Sequence, residues 1–137
     1  MRPTNAEAER EIRAVIEAWM RAVQARDIAG VLARHTEDMV MFDVPPPVEV
    51  RGLNAYRDTW PPFFSWQEEE DGTFEITSLE ITAGSDVAFA AAVLRCGSKA
   101  DLADDDTPKL RLTIGLRKEA GQWLIAHEHH SFPLDAE

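Results

Sequence analysis

The last strand-like segment of the chain holds most of its histidines. After the strand formers at residues 123–126, the polar residues are His127, Glu128, His129 and His130. Imidazole titrates near neutral pH, so a histidine here could act as a general acid or base. His127 and His129 could instead bind zinc, with His35 or Glu128 as a third ligand. A hydrogen-bonded structural role is the remaining interpretation.

The pairing of this segment with the preceding strand decides which residues the fold encloses. Alternation of side chains puts the two odd-numbered histidines on one face and Glu128 with His130 on the other. If Leu116 pairs with Trp123, Arg111 lies opposite Glu128, and the odd-numbered histidines share the apolar face. A slip of one residue would exchange the two sets.

A carboxylate stands at the end of another predicted strand. Asp43 is the second-last residue of the segment MVMFDV, which is followed by three consecutive prolines. In a pocket it could abstract a proton next to a carbonyl, provided that burial among Phe42, Trp60 and Phe64 makes it basic enough. It could equally cap the following turn by accepting backbone N–H groups.

Two arginines and a set of aromatic residues suggest what a pocket would bind. Arg95 and Arg111, if they point inward, would attract a carboxylate-bearing ligand. Arg111 could instead pair only with Glu128. The aromatic residues that we consider for such a pocket are Trp19, Phe42, Trp60, Phe63, Phe64 and Phe89. Such residues usually form core, but some must line any enclosed cavity, so we expect a small ligand that is largely apolar or carries a carboxylate.

The composition limits the class of protein and its partners. With 137 residues, of which 45% are hydrophobic, we expect a single domain over residues 1–137. The net charge of -11 repels phosphate backbones and anionic lipid, so we expect neither nucleic acid nor membrane as a partner. The N-terminal residues resemble no targeting signal and the single cysteine, Cys96, suits a reducing compartment, which predicts a cytoplasmic protein. No nucleotide, phosphate-loop or nucleophile-elbow motif is present, and we expect no cofactor.

Periodicity changes from helical to strand-like along the chain. Predicted helices cover residues 5–25, 28–34 and 54–64. Predicted strands cover residues 39–44, 48–51, 73–82, 86–97, 108–118 and 122–131. This order indicates an α+β fold in which three N-terminal helices pack against a curved, mostly antiparallel sheet. The strand at 86–97 is apolar on both faces, and helices can cover only one, so we expect a homodimer through the sheet.

Three segments, in this order, resemble the SnoaL-like branch of the nuclear transport factor 2-like superfamily: MFDVPPPVEVRG, LNAYRDTWPPFF and GQWLIAHEHHSFP. The nearest similar proteins are ketosteroid isomerase homologues, and the association domain of calcium/calmodulin-dependent kinase II resembles the histidine-rich ending more distantly. The resemblance covers nearly the whole chain. It implies a cone-shaped α+β barrel with a pocket at its open end, usually dimeric. It implies no single activity, because the superfamily includes isomerases, dehydratases, cyclases and pure binding domains.

The resemblance also implies part of an isomerase site. Asp43 matches the position of the catalytic aspartate base. Trp19 falls where the isomerase has a tyrosine, and Thr113 where it has a protonated aspartic acid, so both usual oxyanion donors are changed. The indole of Trp19 or the guanidinium of Arg111 could take their place.

Two hypotheses of different classes follow. The first is a small-molecule-binding protein that performs cofactor-free proton transfer of the isomerase, cyclase or dehydratase type. Asp43 would be the base, and one of His127, His129 and His130 the acid. The second is a non-catalytic binding or association domain whose main role is oligomerisation.

Overall fold

The computed structural model describes residues 5–104 and 107–134. Within these residues the helices are α1 (Ala6–Gln24), α2 (Ile28–Leu32), α3 (Leu53–Asp58), α4 (Trp60–Glu69) and α5 (Lys99–Leu102). The strands are β1 (His35–Phe42), β2 (Val50–Arg51), β3 (Thr73–Ala83), β4 (Val87–Gly97), β5 (Leu110–Glu119) and β6 (Gln122–Ser131). They form one sheet in the order β2-β1-β6-β5-β4-β3, in which β1 and β6 are parallel and the other neighbours antiparallel. The predicted α+β fold is confirmed, and its curved sheet does not close.

Helix α1 covers the inner face of the sheet. Its buried residues recur at threes and fours: Ile12, Val15, Ile16, Trp19 and Val23. This spacing produces one apolar side that packs against β3 and β6. Glu7 and Glu9 in the first turn and Arg21 in the last turn have the signs that the helix dipole favours. No described helix has the length and apolarity needed to cross a bilayer.

The predicted third helix is two helices. The helix is interrupted at Thr59, between α3 and α4. Pro61 and Pro62 lie in the first turn of α4. Proline has no N–H to donate, and the first turn is where a helix needs none, so the two prolines are compatible with the start of a second helix. Helix α3 buries Tyr56, and α4 buries Trp60.

A two-residue turn sets the register of β5 and β6. Ala120 and Gly121 both have positive φ, at 50° and 79°, as a tight hairpin turn requires. Lys118 therefore pairs with Trp123. The predicted pairing of Leu116 with Trp123 is wrong, because it centres the hairpin one residue before the turn at Ala120 and Gly121.

A β-bulge in β6 then changes the alternation. Leu116 pairs with Ile125 but its neighbour Gly115 pairs with His127, so Ala126 is an extra residue without a partner. An extra residue shifts every later side chain to the opposite face of the sheet.

The bulge exchanges the two predicted histidine sets. Ile125 points into the core before the bulge, and after it Glu128 and His130 point inward and are buried. The odd-numbered histidines consequently lie on the outer face, contrary to the predicted register. The predicted pairing of Arg111 with Glu128 is also wrong, since Arg111 lies opposite Ser131.

Candidate functional site

A cavity of about 360 Å³ lies between the end of β1 and helix α4. Its volume is in the range of sites for small organic ligands. The large apolar side chains that line it are Met41, Trp60, Phe63, Phe74, Leu110 and Phe132. The polar or thiol side chains among its lining are Asp43, Thr59, Cys96 and His130. The cavity is therefore an apolar space with few groups able to carry out proton chemistry.

His130 is held at the cavity wall by a carboxylate behind it. Glu128 is completely buried, and its Oε1 lies 2.8 Å from Nε2 of His130. Its Oε2 accepts a hydrogen bond from the Tyr56 hydroxyl at 2.7 Å and lies 2.5 Å from Nε2 of His35. The indole Nε1 of Trp19 donates in turn to the Tyr56 oxygen at 3.0 Å. We call these five residues the Glu128 cluster.

The cluster contains a buried ion pair between Glu128 and His130. Burial raises the pKa of Glu128, but hydrogen bonds from His130 and His35 outweigh it and lower that pKa to about 2. Burial lowers the pKa of His130, but the hydrogen bond and the charge of Glu128, with a smaller contribution from Asp43, raise it above 6.5. Burial and the nearby Glu128 charge raise the pKa of Tyr56. Glu128 is thus an anion, and its hydrogen bond and charge favour the cationic form of His130.

Tyr56 lies on helix α3, and Gly52 at the start of that helix helps to fix its position. Gly52 has φ 90°, a backbone conformation that favours glycine. Its N–H donates to the Met39 carbonyl at 2.8 Å, which attaches the start of the helix to β1. One turn later the helix directs Tyr56 at Glu128.

Asp43 follows the end of β1 at the cavity and is half-buried. Its Oδ1 accepts a hydrogen bond from the backbone N–H of Val44 at 2.8 Å. The carboxylate thus caps the following turn and also lines the cavity, so the two interpretations of Asp43 are compatible.

The two odd-numbered histidines do not reach the cavity. The ring of His127 contacts Phe42 at a centroid distance of 4.9 Å, and its Nδ1 lies 2.7 Å from the Val40 carbonyl oxygen. His129 is exposed and contacts the same phenylalanine at 5.4 Å. Both predictions assumed a strand without a bulge.

The four predicted ligand-binding residues on β4 and β5 also lie away from the cavity. Arg111 is exposed and donates to Ser131 Oγ at 3.2 Å, and Arg95 pairs with Glu75 at 3.8 Å. Thr113 is exposed, and Phe89 is 53% exposed. Their faces are the outer ones, because the inward positions of these strands are the alternate residues.

The predicted aromatic residues lie at or directly behind the cavity. Trp60 lines it, and Phe64 packs on Trp60 with ring centroids 5.8 Å apart without being part of the lining. Trp19 is buried behind the lining and makes edge contacts with Trp60 and His130 at 6.2 and 6.4 Å.

Sequence reasoning missed Tyr56 as a site residue and assigned His35 only a possible role in metal binding. Tyr56 is the chain's single tyrosine and lies on the apolar side of a predicted helix. A buried tyrosine hydroxyl normally finds a hydrogen-bond partner, which was the available signal. His35 gave no comparable signal, because it stands in the chain before the predicted start of β1.

The sheet separates the zinc ligands that were suggested from the sequence. His127 and His129 lie on its outer face, whereas His35 and Glu128 lie on its inner face. Across residues 5–104 and 107–134, no group of three or more His, Cys, Asp or Glu side chains is placed to hold a metal ion.

This curved sheet covered by helices is the fold of the NTF2-like proteins. The SnoaL-like domain family matches residues 12–135, and the chain belongs to that family, which confirms the resemblance seen in its three sequence segments.

Solved structures of NTF2-like proteins superpose over nearly the whole chain. An NTF2-like protein of unknown function from Pseudomonas putida KT2440 is 36% identical, with a TM-score of 0.85 over 98% of this chain and 93% of that one. A ketosteroid isomerase-like protein from Erwinia carotovora atroseptica SCRI1043 is 23% identical, with a TM-score of 0.71 over 96% and 100%. A cystatin-like-fold protein of unknown function from Nostoc punctiforme PCC 73102 is 15% identical, with a TM-score of 0.73 over 97% and 96%. No curated protein matches the chain.

Proposed function

We propose that this protein binds a small, largely apolar carbonyl compound in the cavity and transfers a proton on it without a cofactor. Asp43 acts as the base and His130 as the acid. The observation that carries the proposal is the position of His130, which lines an apolar cavity while the buried Glu128 holds its Nε2 at 2.8 Å. A carboxylate behind an imidazole fixes its orientation and stabilises its cationic form.

The proton path follows from which groups reach the cavity. Asp43 takes a proton from the carbon next to the carbonyl, the C–H electron pair moves into the enolate, and the carbonyl oxygen becomes negative. The imidazolium of His130 donates to that oxygen through Nδ1, because Nε2 is held by Glu128. The proton on Asp43 then returns to a carbon of the ligand while the enol oxygen gives its proton back to Nδ1 of His130, which restores the carbonyl, the carboxylate and the imidazolium. An apolar lining strengthens both interactions by excluding water.

The resemblance to ketosteroid isomerase implies two oxyanion donors that this chain lacks. Neither Trp19 nor Arg111, which were suggested from the sequence as substitutes, can take their place in the cavity. The Trp19 indole donates to Tyr56 and is buried behind the lining, and Arg111 lies on the outer face. His130 is a charged donor that lines the cavity together with Asp43.

The lining also favours an uncharged ligand. No arginine or lysine lies among the described residues that line the cavity, and Arg95 and Arg111 point away from it. A carboxylate bound there would have to be paired by His130 alone, beside the carboxylate of Asp43. We therefore infer that a ketone is preferred over an acid.

The test uses 2-tetralone, a neutral bicyclic ketone with exchangeable protons next to its carbonyl. We expect the protein to accelerate exchange of these protons in D2O, measured by loss of their proton NMR signal. His130→Phe should lower the rate roughly 10²- to 10⁴-fold, the usual contribution of a positioned acid or base. The matched control is His129→Phe, on the outer face, which should leave the rate unchanged. Equal rates for the two variants would remove His130 from the mechanism.

Alkylation of Cys96 can test ligand binding separately from catalysis. It is the single cysteine of the chain and lines the cavity. Burial, with a smaller effect of Asp43, raises the pKa of its thiol to about 11, so alkylation by a maleimide should be slow. 2-Tetralone should slow it further by occupying the cavity. Such protection without proton exchange would leave a binding protein and refute the catalytic part of the proposal.

A second candidate function, association through the sheet, is favoured by the outer face. Val87 and Phe89 on β4 are 59% and 53% exposed, although they belong to a central part of the sheet. We propose that a second copy covers them. Phe89→Glu should convert a dimer to a monomer in sedimentation, whereas Val48→Glu, at a loop residue 91% exposed, should not. A dimer unchanged by Phe89→Glu would place the interface elsewhere.

A further inference from the structure

Two histidines contact the same buried carboxylate, but their surroundings differ. Nε2 of His130 lies 2.8 Å from Oε1 of Glu128, and Nε2 of His35 lies 2.5 Å from Oε2. His130 also lines the cavity, together with Asp43. His35 is buried within the core. The question is which imidazole carries the positive charge that balances Glu128.

The hydrogen-bond directions around Oε2 are determined by the partners. An indole N–H can only donate, so the Tyr56 oxygen accepts from Trp19 and its own proton goes to Glu128. An ionised carboxylate can only accept, so Nε2 of His35 carries a proton. Oε2 thus receives two donors and Oε1 receives one, from His130.

The other nitrogen of His35 shows that this ring is neutral. Nδ1 of His35 is buried and has no hydrogen-bond partner among the residues that the structure describes. A cationic ring would bury an unpaired N–H there, which costs about 1–3 kcal/mol or more, whereas a neutral ring leaves only an unused acceptor. His35 therefore donates through Nε2 as a neutral imidazole.

We propose that His35 and Tyr56 are positioning residues for proton transfer by His130. Both are neutral donors that occupy Oε2 of Glu128, so Oε1 stays turned to His130 and the positive charge of the Glu128 cluster resides on the ring at the cavity. This inference rests on the proposed function of the cavity. Its chemical content is that one histidine orients the carboxylate while the other moves the proton.

The remaining groups near His130 agree with this distribution of charge. Asp43 lies on the cavity side and favours the imidazolium. Cys96 shares the cavity and remains a neutral thiol, because its pKa is about 11. Trp19 contacts the His130 ring by its edge at 6.4 Å and carries no charge.

The first test needs no ligand. Long-range proton–nitrogen NMR of the nitrogen-15-labelled protein reads which ring nitrogens carry protons. The His35 and His130 signals are assigned from the spectra of His35→Gln and His130→Phe. At a pH where the His130 ring is protonated on both nitrogens, we expect His35 to carry a proton on Nε2 alone. A doubly protonated His35, or a proton on its Nδ1 alone, would overturn the proposal.

The second test measures the positioning effect on 2-tetralone exchange. His35→Leu and Tyr56→Phe each remove one donor to Oε2 and should slow exchange roughly 10- to 100-fold, the usual cost of losing an outer partner. His35→Gln keeps an N–H donor and should restore most of the rate. Ile81→Ala, on the opposite edge strand, controls for lost packing and should have little effect.

The outcomes separate the two proposals. Equal slowing by His35→Leu and His35→Gln, or none by His35→Leu, would overturn the positioning role. If the wild-type protein exchanges no protons, the proposed function fails, and the nitrogen NMR still decides which histidine holds the charge.

Discussion

Glu128→Ala is expected to lower the free energy of unfolding by about 3–5 kcal/mol, the usual cost of removing one partner from a buried ion pair. The substitution leaves the His130 cation without its counter-charge and the donors of Tyr56 and His35 without an acceptor. Urea-induced unfolding followed by tryptophan fluorescence measures this loss. The control is Glu75→Ala, which breaks the half-exposed pair with Arg95 and should cost less than about 1 kcal/mol. A similar small loss for both variants would show that the Glu128 cluster contributes little to stability.

The pH dependence of this loss has a definite sign. The pKa of Glu128 is lower in the folded state, so its stabilisation is present above pH 4.5 and is lost as the pH falls towards about 2. The pKa of His130 is higher in the folded state, so its contribution is present below pH 6.5 and is lost as the pH rises through the raised value. The stability difference between wild type and Glu128→Ala should therefore be largest between pH 4.5 and 6.5. A difference that keeps increasing above this window would contradict the assigned charges.

Asp43→Asn is expected to lower the rate of 2-tetralone proton exchange roughly 10²- to 10⁴-fold while leaving the fold intact. Asparagine cannot accept the proton from carbon, but its amide oxygen can still accept the hydrogen bond that Val44 donates to the aspartate at 2.8 Å. The base is therefore removed without removing the turn. The free energy of unfolding, measured in urea, should change by less than about 1 kcal/mol, which is the net contribution of one hydrogen bond.

A matched control tests whether charge alone explains the effect. Asp58→Asn removes a carboxylate whose side chain is 76% exposed at the end of α3, and it should leave the exchange rate unchanged. If Asp43→Asn exchanges as fast as wild type, Asp43 only caps its turn and another group must be the base.

Much of the architecture follows from local patterns in the sequence. Apolar residues recur every three or four positions in α1 and alternate in β4 and β5. Each pattern places one apolar face inward, because burial of apolar surface selects that orientation. Asp43 was recognisable from its place between a predicted strand and a proline run. Helix α5 lies in a segment expected to be a loop, since its four residues are too few to show a period.

The Glu128 cluster depended on features that periodicity does not reveal. The bulge at Ala126 changed which residues of β6 face inward, and nothing in the alternation of that segment distinguishes a bulged strand from a regular one. The parallel pairing of β1 with β6 connects residues far apart in the chain and brings His35 to Glu128. Tyr56 reaches the same carboxylate from α3, whose start is attached to β1 by the hydrogen bond from Gly52 to Met39. Local sequence patterns therefore suffice for the main order of helices and strands, for the apolar faces of α1, β4 and β5, and for Asp43 as a candidate base. Tertiary structure decided which histidine meets the cavity, because that choice depends on a single-residue register and on long-range contacts.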